Sequence, residues 1–212
     1  NSGQIRKYLL QDATTQQHNL SFLGNQPYGS YYISGNFTGN NPVFKSNYAK
    51  VYAVTANLTN EFFNKKLTVS MGVNQSFTKT KVNNAALTAI SAGSTGLRPY
   101  DMLVDDNGES ISRSIIFTPS VTQSYVDKGY LPWGYNSIDE LNYSNTFYNK
   151  NSSRVNAIVT AKPVDWLSID LSGMYQKSTN NRKQLDEEDS YAARTIINVG
   201  TSVSSTTGAL VY

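Results

Sequence analysis

Polar and apolar residues alternate along this chain in stretches of about ten, the pattern of β-strands with one apolar and one polar face. In Tyr48 to Leu58, YAKVYAVTANL, the residues Tyr52, Val54, Ala56 and Leu58 fall on one face and Val51, Ala53, Thr55 and Asn57 on the other. Lys50 shares the apolar face, which puts it near a strand end. The same alternation sets Leu67, Val69, Met71 and Val73 against Thr68, Ser70, Gly72 and Asn74, and Val155, Ala157, Val159 and Ala161 against Arg154, Asn156, Ile158 and Thr160. Strands are predicted at about Gln17 to Leu23, Ser30 to Phe37, Tyr48 to Asn60, Lys66 to Thr78, Ser153 to Ala161 and Trp166 to Lys177. No 3.6-residue period is sustained anywhere.

The connections alternate as well. Gly24 to Gly29, Asn60 to Lys65 and Lys162 to Asp165 are short and carry turn residues, whereas Thr38 to Asn47, Lys79 to Ser152 and Ser178 onward are long. Tight turns at one end and long loops at the other are the layout of an outer-membrane barrel, whose strands meet lipid on one face and a polar lumen on the other. The fold expected is therefore all-β: antiparallel transmembrane β-barrel strands with long extracellular loops, an incomplete barrel spanning 1–212 with a loop insertion at about 79–152. Tyr48, Phe77 and Tyr175 toward the long loops, and Phe62, Phe63 and Trp166 toward the short turns, are the expected membrane-interface aromatics. A soluble β-sandwich, such as a glycan-binding or adhesin module, alternates in the same way with its apolar face inward. A small structural outer-membrane barrel is a further alternative, disfavoured because about six strands are visible and at least eight are needed to close.

Composition narrows this picture. Only 16% of the 212 residues are charged and no apolar run approaches the ~18 residues of a membrane-spanning helix, which excludes an α-helical membrane protein and leaves a barrel open. The formal charge of +3 is too small and dispersed to suggest nucleic acid. Absence of cysteine removes disulfides, thiolate nucleophiles and cysteine metal sites. The amino terminus has no signal-peptide layout, and Leu210-Val211-Tyr212 reads as the start of another β segment, so both ends are expected to be cuts through a longer protein.

Catalytic chemistry is not indicated, and no cofactor or metal is expected. His18 has no nucleophile and acidic partner at an interpretable spacing. Asp105-Asp106-Asn107-Gly108-Glu109 fails the EF-hand pattern, which would need an acid at Leu103, and reads as a turn. Asp186 to Asp189 reads as a solvated acidic loop. Six Asn-X-Ser/Thr sequons follow from the richness in those residues. Leu97 to Tyr148 concentrates Tyr100, Tyr125, Tyr130, Trp133, Tyr135, Tyr143, Phe147 and Tyr148. Such rings either stack on a ligand or pack a long loop. Tyr100, Trp133 and Tyr135 are the leading contact candidates, with Arg194 as a polar partner for hydroxyl or carboxylate groups.

Gln16-Gln17-His18-Asn19-Leu20-Ser21-Phe22, with Gly24 and Tyr31-Tyr32-Ile33-Ser34-Gly35-Asn36-Phe37, resembles the stretch that opens the barrel of the SusC/RagA family of TonB-dependent outer-membrane transporters. The resemblance continues in order through Tyr48 to Tyr52 with Ala56-Asn57-Leu58, Pro99-Tyr100-Asp101 with Asp105 to Gly108, and Tyr135 to Leu141. Lys162 to Ser168 is similar to the family's "KP.DWLS" turn, and Tyr191, Arg194, Ile197, Asn198 and Thr201 to its "Y..R..IN..T" element. Asn25 stands where a second Gly is usual and Ser137 where Pro is common.

The resemblance implies import of nutrient oligosaccharides or peptides across the bacterial outer membrane, without enzymatic chemistry. It further implies a SusD-like surface lipoprotein over the extracellular mouth, and a TonB complex acting through regions outside this chain. The plug domain and the remaining barrel would also lie outside it.

Overall fold

The computed structural model describes residues 2–91 and 96–211. Strand accounts for 53% and helix for 19% of it. Six strands form one antiparallel sheet in sequence order: β1 (Thr14–Gln26), β2 (Gly29–Asn41), β3 (Tyr48–Phe62), β4 (Leu67–Val82), β5 (Ser144–Val164) and β6 (Leu167–Asp186). Every neighbouring pair is consecutive in the chain and antiparallel. Among the described residues β1 and β6 do not pair, so the sheet is open and no closed barrel is seen.

All six predicted strands are present, and most are longer than the alternation indicates. β5 begins at Ser144 instead of Ser153, and β6 runs to Asp186 instead of Lys177. Next to the predicted strands both faces of these extensions are polar, with Asn149 and Asn151 backed by Lys150 and Ser152, so no hydrophobic period carries on to Phe147 and Tyr148; the ladder itself continues unbroken from Ser144↔Asp186 to Ala161↔Ile169. As a result the long connection between β4 and β5 spans 83–143, shorter than the expected 79–152. Tyr175, expected toward a strand end, lies near the middle of β6 for the same reason.

The short turns are tight. Pro27-Tyr28 alone joins β1 to β2, so the strands run through Gly24 and Asn25, which were expected in the turn. Between β3 and β4 the backbone is left-handed at Phe63, Asn64 and Lys65, with φ of 53°, 55° and 69°. Asn adopts that conformation readily, whereas Phe and Lys do so at a cost.

The described residues of the connection 83–143 form three helices, α1 (Ala85–Ile90), α2 (Pro119–Val126) and α3 (Ser137–Tyr143), and a two-residue strand pair, Arg113–Ser114 with Gly134–Tyr135. A fourth helix, α4 (Tyr191–Gly200), follows β6. After it Leu210–Val211, the expected β segment, pairs with Ser202–Val203; Tyr212 lies outside the described residues. α3 and α4 carry side-chain N-caps: the Asn136 side chain accepts from the Ile138 N–H at 2.7 Å and Ser190 Oγ from the Ala193 N–H at 3.1 Å.

The aliphatic core belongs to this unit and not to the sheet. Leu9, Ala85, Ala86, Ala89, Leu103 and Leu141 are buried together, with Ile5, Tyr8, Phe44, Leu97 and Ile138 against them. The amino-terminal helical segment, the β2–β3 connection and the insertion thus build one cap at the long-connection end.

Candidate functional site

Register fixes what each face of the sheet carries, because residues directly opposite in adjacent strands share a face. One rung reads Phe22, Ile33, Ala56, Val73, Val155, Tyr175 across the six strands. On the opposite face a rung reads Ser21, Ser34, Thr55, Asn74, Arg154, Gln176. The apolar face is open: Phe22 is 61% exposed, Val54 52% and Leu171 71%. The polar face is knitted by side chains. Thr55 Oγ1 donates to Asn74 Oδ1 at 3.0 Å, Arg154 Nε to Gln176 Oε1 at 3.1 Å, and Thr160 Oγ1 to Asp170 Oδ1 at 2.5 Å.

Toward the long-connection end the apolar face carries an aromatic rung, His18, Phe37, Tyr52 and Phe77. The His18 and Phe37 rings are stacked at 6.1 Å, and Phe37 and Tyr52 lie 5.1 Å apart. His18 therefore belongs to a ring row. Tyr48 stands two residues beyond Lys50 on the same face, Phe62 pairs with Leu67 at the other end, and Phe63 and Trp166 are exposed beside the short turns. The row was not foreseen as a unit, since each ring comes from a different strand and only register aligns them.

The polar face leads into the cap. Ser144, Thr146, Arg182 and Gln184 continue that face upward, and with Tyr135, Glu140 and Tyr191 they line a cleft of about 390 Å³. The Arg182 guanidinium lies 6.0 Å from the Tyr148 ring and donates to Gln184 Oε1 at 3.2 Å. Gln184 in turn donates to Asp186, whose other oxygen accepts from Ser144 at 2.6 Å. Asp186 is thus engaged in the sheet, although the acidic run was expected to be a solvated loop. Glu140 is 4% exposed and accepts the Tyr191 N–H at 2.6 Å. Burial raises its carboxyl above the ordinary range, against the Tyr191 N–H and the Arg194 charge, which lower it. Burial likewise pushes the Tyr135 phenol up.

Of the expected contact residues, the structure brings three together and leaves one apart. Trp133 is buried in an aromatic cluster, 5.2 Å from Phe117 and 6.3 Å from Tyr125, and its indole Nε1 has no hydrogen-bond partner. Tyr135 packs edge-on to Tyr191 at 5.5 Å. Arg194 spends its guanidinium on backbone, donating to the Pro132 carbonyl at 2.5 Å, Gly134 at 2.9 Å and Asp189 at 3.0 Å. It latches α4 to the segment that carries Trp133 and Tyr135. Tyr100 is 95% exposed. Beside it Asp101 is bridged by Arg113 at 2.8 Å and Arg98 at 3.4 Å. Partial burial raises the Asp101 carboxyl, but the Arg98 N–H and the two guanidiniums outweigh it and hold the group below its ordinary value.

Sequence reasoning passed over the asparagines that hold the cap. Asn83 is 2% exposed, and its amide nitrogen faces the carbonyls of Glu140 at 2.8 Å and Ser144 at 2.7 Å while its oxygen accepts the Ala85 N–H at 2.9 Å. Asn136 donates to the Leu103 and Ile111 carbonyls at 3.0 and 2.6 Å. Asn198 closes a pair with the Leu131 backbone, accepting at 2.9 Å and donating at 2.8 Å. The available signal was the pair Asn83-Asn84 ahead of Ala-Ala-Leu, a helix-start pattern in which the first Asn, not the one adjacent to the helix, takes the Ala85 N–H. Asp105 caps its own turn, its Oδ1 accepting the Asn107 and Glu109 N–H groups at 2.9 Å each.

The stretches 131–141 and 190–201, which carry two of the sequence resemblances, dock on one another through Tyr135, Glu140, Tyr191, Arg194 and Asn198. No family model matches this chain, and no curated protein matches it significantly.

Proposed function

We propose that this chain is part of the barrel of a SusC/RagA-like, TonB-dependent outer-membrane importer. The observation that carries the reading is the two-faced sheet: six consecutive antiparallel strands with an exposed apolar face, a hydrogen-bonded polar face, and connections that alternate short and long. Lipid covers the apolar face and the polar face lines the lumen. A sandwich would bury the apolar face against a second sheet, and among the described residues none lies on it.

The cap then sits at the extracellular mouth, and the cleft of Tyr135, Tyr191, Arg182 and Gln184 opens toward the lumen. Such a cleft offers rings for stacking and amide and guanidinium groups for hydroxyl or carboxylate oxygens of an oligosaccharide or peptide. A SusD-like lipoprotein closes over the cap, and TonB acts through parts of the protein beyond this chain. No covalent step is involved.

The test is made in the full-length protein. Cysteines placed singly at Gly108 and Ser120 are labelled on intact cells with a membrane-impermeant maleimide, and growth on the imported nutrient is measured for Arg182→Ala at matched membrane abundance. Labelling from outside and a reduced uptake rate are expected. Failure of the protein to fractionate with the outer membrane, or labelling only after the periplasm is opened, overturns the reading.

A further inference from the structure

The apolar face of the sheet carries no acidic residue from β1 to β6, yet it carries Lys50, Lys79, Lys81, Lys177 and Lys183. Four of them lie toward the long connections, and Lys177 shares the rung of Val54 at mid-sheet. Lys50 and Lys79 are directly opposite each other across β3 and β4, an arrangement that destabilises a sheet by repulsion when nothing lies between the charges. Neither has an ion-pair partner among the described residues. Lys81 follows one rung above Lys79, paired with Tyr48, and its Nζ donates to Ser46 Oγ at 2.9 Å. Lys183 extends the same rung through Phe147.

Order along the strand is as informative as charge. Moving from the short turns toward the long connections on β1 to β4, the face passes from mainly aliphatic rungs to the aromatic rung of His18, Phe37, Tyr52 and Phe77, and then to a rung of Gln16, Gly39, Lys50 and Lys79 that Asn149 and Asn181 continue on β5 and β6. The lysines also touch rings on either side of their rung: Lys79 Nζ is 5.3 Å from the Phe77 ring below it, and Lys50 Nζ 5.2 Å from the Tyr48 ring above it. Apolar, aromatic, then cationic and amide is the sequence of environments from hydrocarbon through interface to an anionic headgroup layer.

We propose that Lys50, Lys79 and Lys81, extended by Lys183, form a binding site for the phosphate groups of an outer-leaflet phosphorylated glycolipid. The inference rests on the membrane-barrel reading and adds a ligand to the outward face, apart from the cleft. A phosphate between Lys50 and Lys79 turns a repulsive pair into two charge-assisted contacts. Lysine suits this role because its long apolar stem lies along the ring row while the ammonium reaches the headgroups.

The experiment uses full-length protein purified in mild detergent and titrated with bis-phosphorylated lipid A, the dephosphorylated glycolipid, or inorganic phosphate, bound adducts being counted by native mass spectrometry. Wild type is expected to bind the phosphorylated lipid, with no competition from equimolar inorganic phosphate. Lys50→Gln/Lys79→Gln is expected to weaken this on the order of tenfold, while Lys150→Gln/Arg154→Gln on the opposite face leaves it unchanged. Without lipid, Lys50→Gln should raise the temperature of the heat-modifiable transition, and adding the phosphorylated lipid should cancel that gain. Equal binding by wild type and the Lys50/Lys79 variant, equal loss in the opposite-face variant, or equal binding of the dephosphorylated lipid overturns the site. In each of those cases a heat-modifiable, outer-membrane protein still upholds the barrel reading, whose own failure shows in fractionation.

Discussion

Glu140 shows how the cap uses a group whose charge the fold disfavours. Its carboxyl is buried, raised above its ordinary value, and holds the Tyr191 N–H at the start of α4. The unfolded carboxyl ionises first as pH rises, so from about pH 4 upward the folded cap loses stability until pH passes the raised folded value. Glu140→Gln keeps an oxygen for the Tyr191 N–H and cannot ionise. It is expected to flatten that pH dependence and to match or exceed wild-type resistance to proteolysis of the cap at pH 7, whereas Glu140→Ala should destabilise by about 1–3 kcal/mol by leaving a buried donor without a partner. Asn83→Ala belongs to the same class. It removes one side chain that serves the Glu140 and Ser144 carbonyls and the Ala85 N–H, and a loss of roughly 1–3 kcal/mol per unpaired group should appear as faster cleavage in 83–143. These roles were hidden in the sequence, because a buried asparagine and an exposed one have the same spelling and only tertiary contacts tell them apart. Trp133 was legible as an aromatic of consequence, but its burial in a ring cluster makes it a support for the cleft wall.

At the scale of elements, alternation identified six strands because one face repeats aliphatic residues and the other hydroxyls and amides. Where both faces turn polar, as from Asn149 to Ser153, the period vanishes although the ladder continues. The helices of the cap were missed for a different reason. They are six to ten residues long, and α1 and α3 are stabilised by packing Ala85, Ala86, Ala89 and Leu141 together with Leu9 and Leu103 from other parts of the chain. The face assignment is directly testable. On the proposed membrane reading, Val54→Arg should cost roughly 2–4 kcal/mol near mid-bilayer, while Thr55→Arg, on the face of Asn74 and Arg154, should be tolerated. Heat-modifiable assembly of the two full-length variants measures this, and equal damage from both contradicts the assignment.

For the whole molecule, the sheet lacks a core of its own and its two edges are unpaired among the described residues. Residues 1–212 expressed alone and without detergent should therefore associate or precipitate, since open edges seek partners and the apolar face meets water. A monodisperse monomer with one cooperative melt, seen by analytical ultracentrifugation and calorimetry, would return the sandwich to favour. The resemblance to a transporter family was carried by short motifs. The docking of 131–141 against 190–201 gives two of them a shared physical task, which spacing along the sequence does not reveal.

Because every aliphatic side chain of the core lies in the cap, the molecule has two independent sources of cohesion. The sheet is held by its continuous backbone ladder. The cap is held by a small oily cluster and by side-chain amides clasping carbonyls, bonds that water replaces easily once the cluster loosens. Its amides should exchange with deuterium well before those of β3 and β4, and the helices should open and reclose above an undisturbed scaffold. A cap built in this way can breathe while the sheet that carries it stays still.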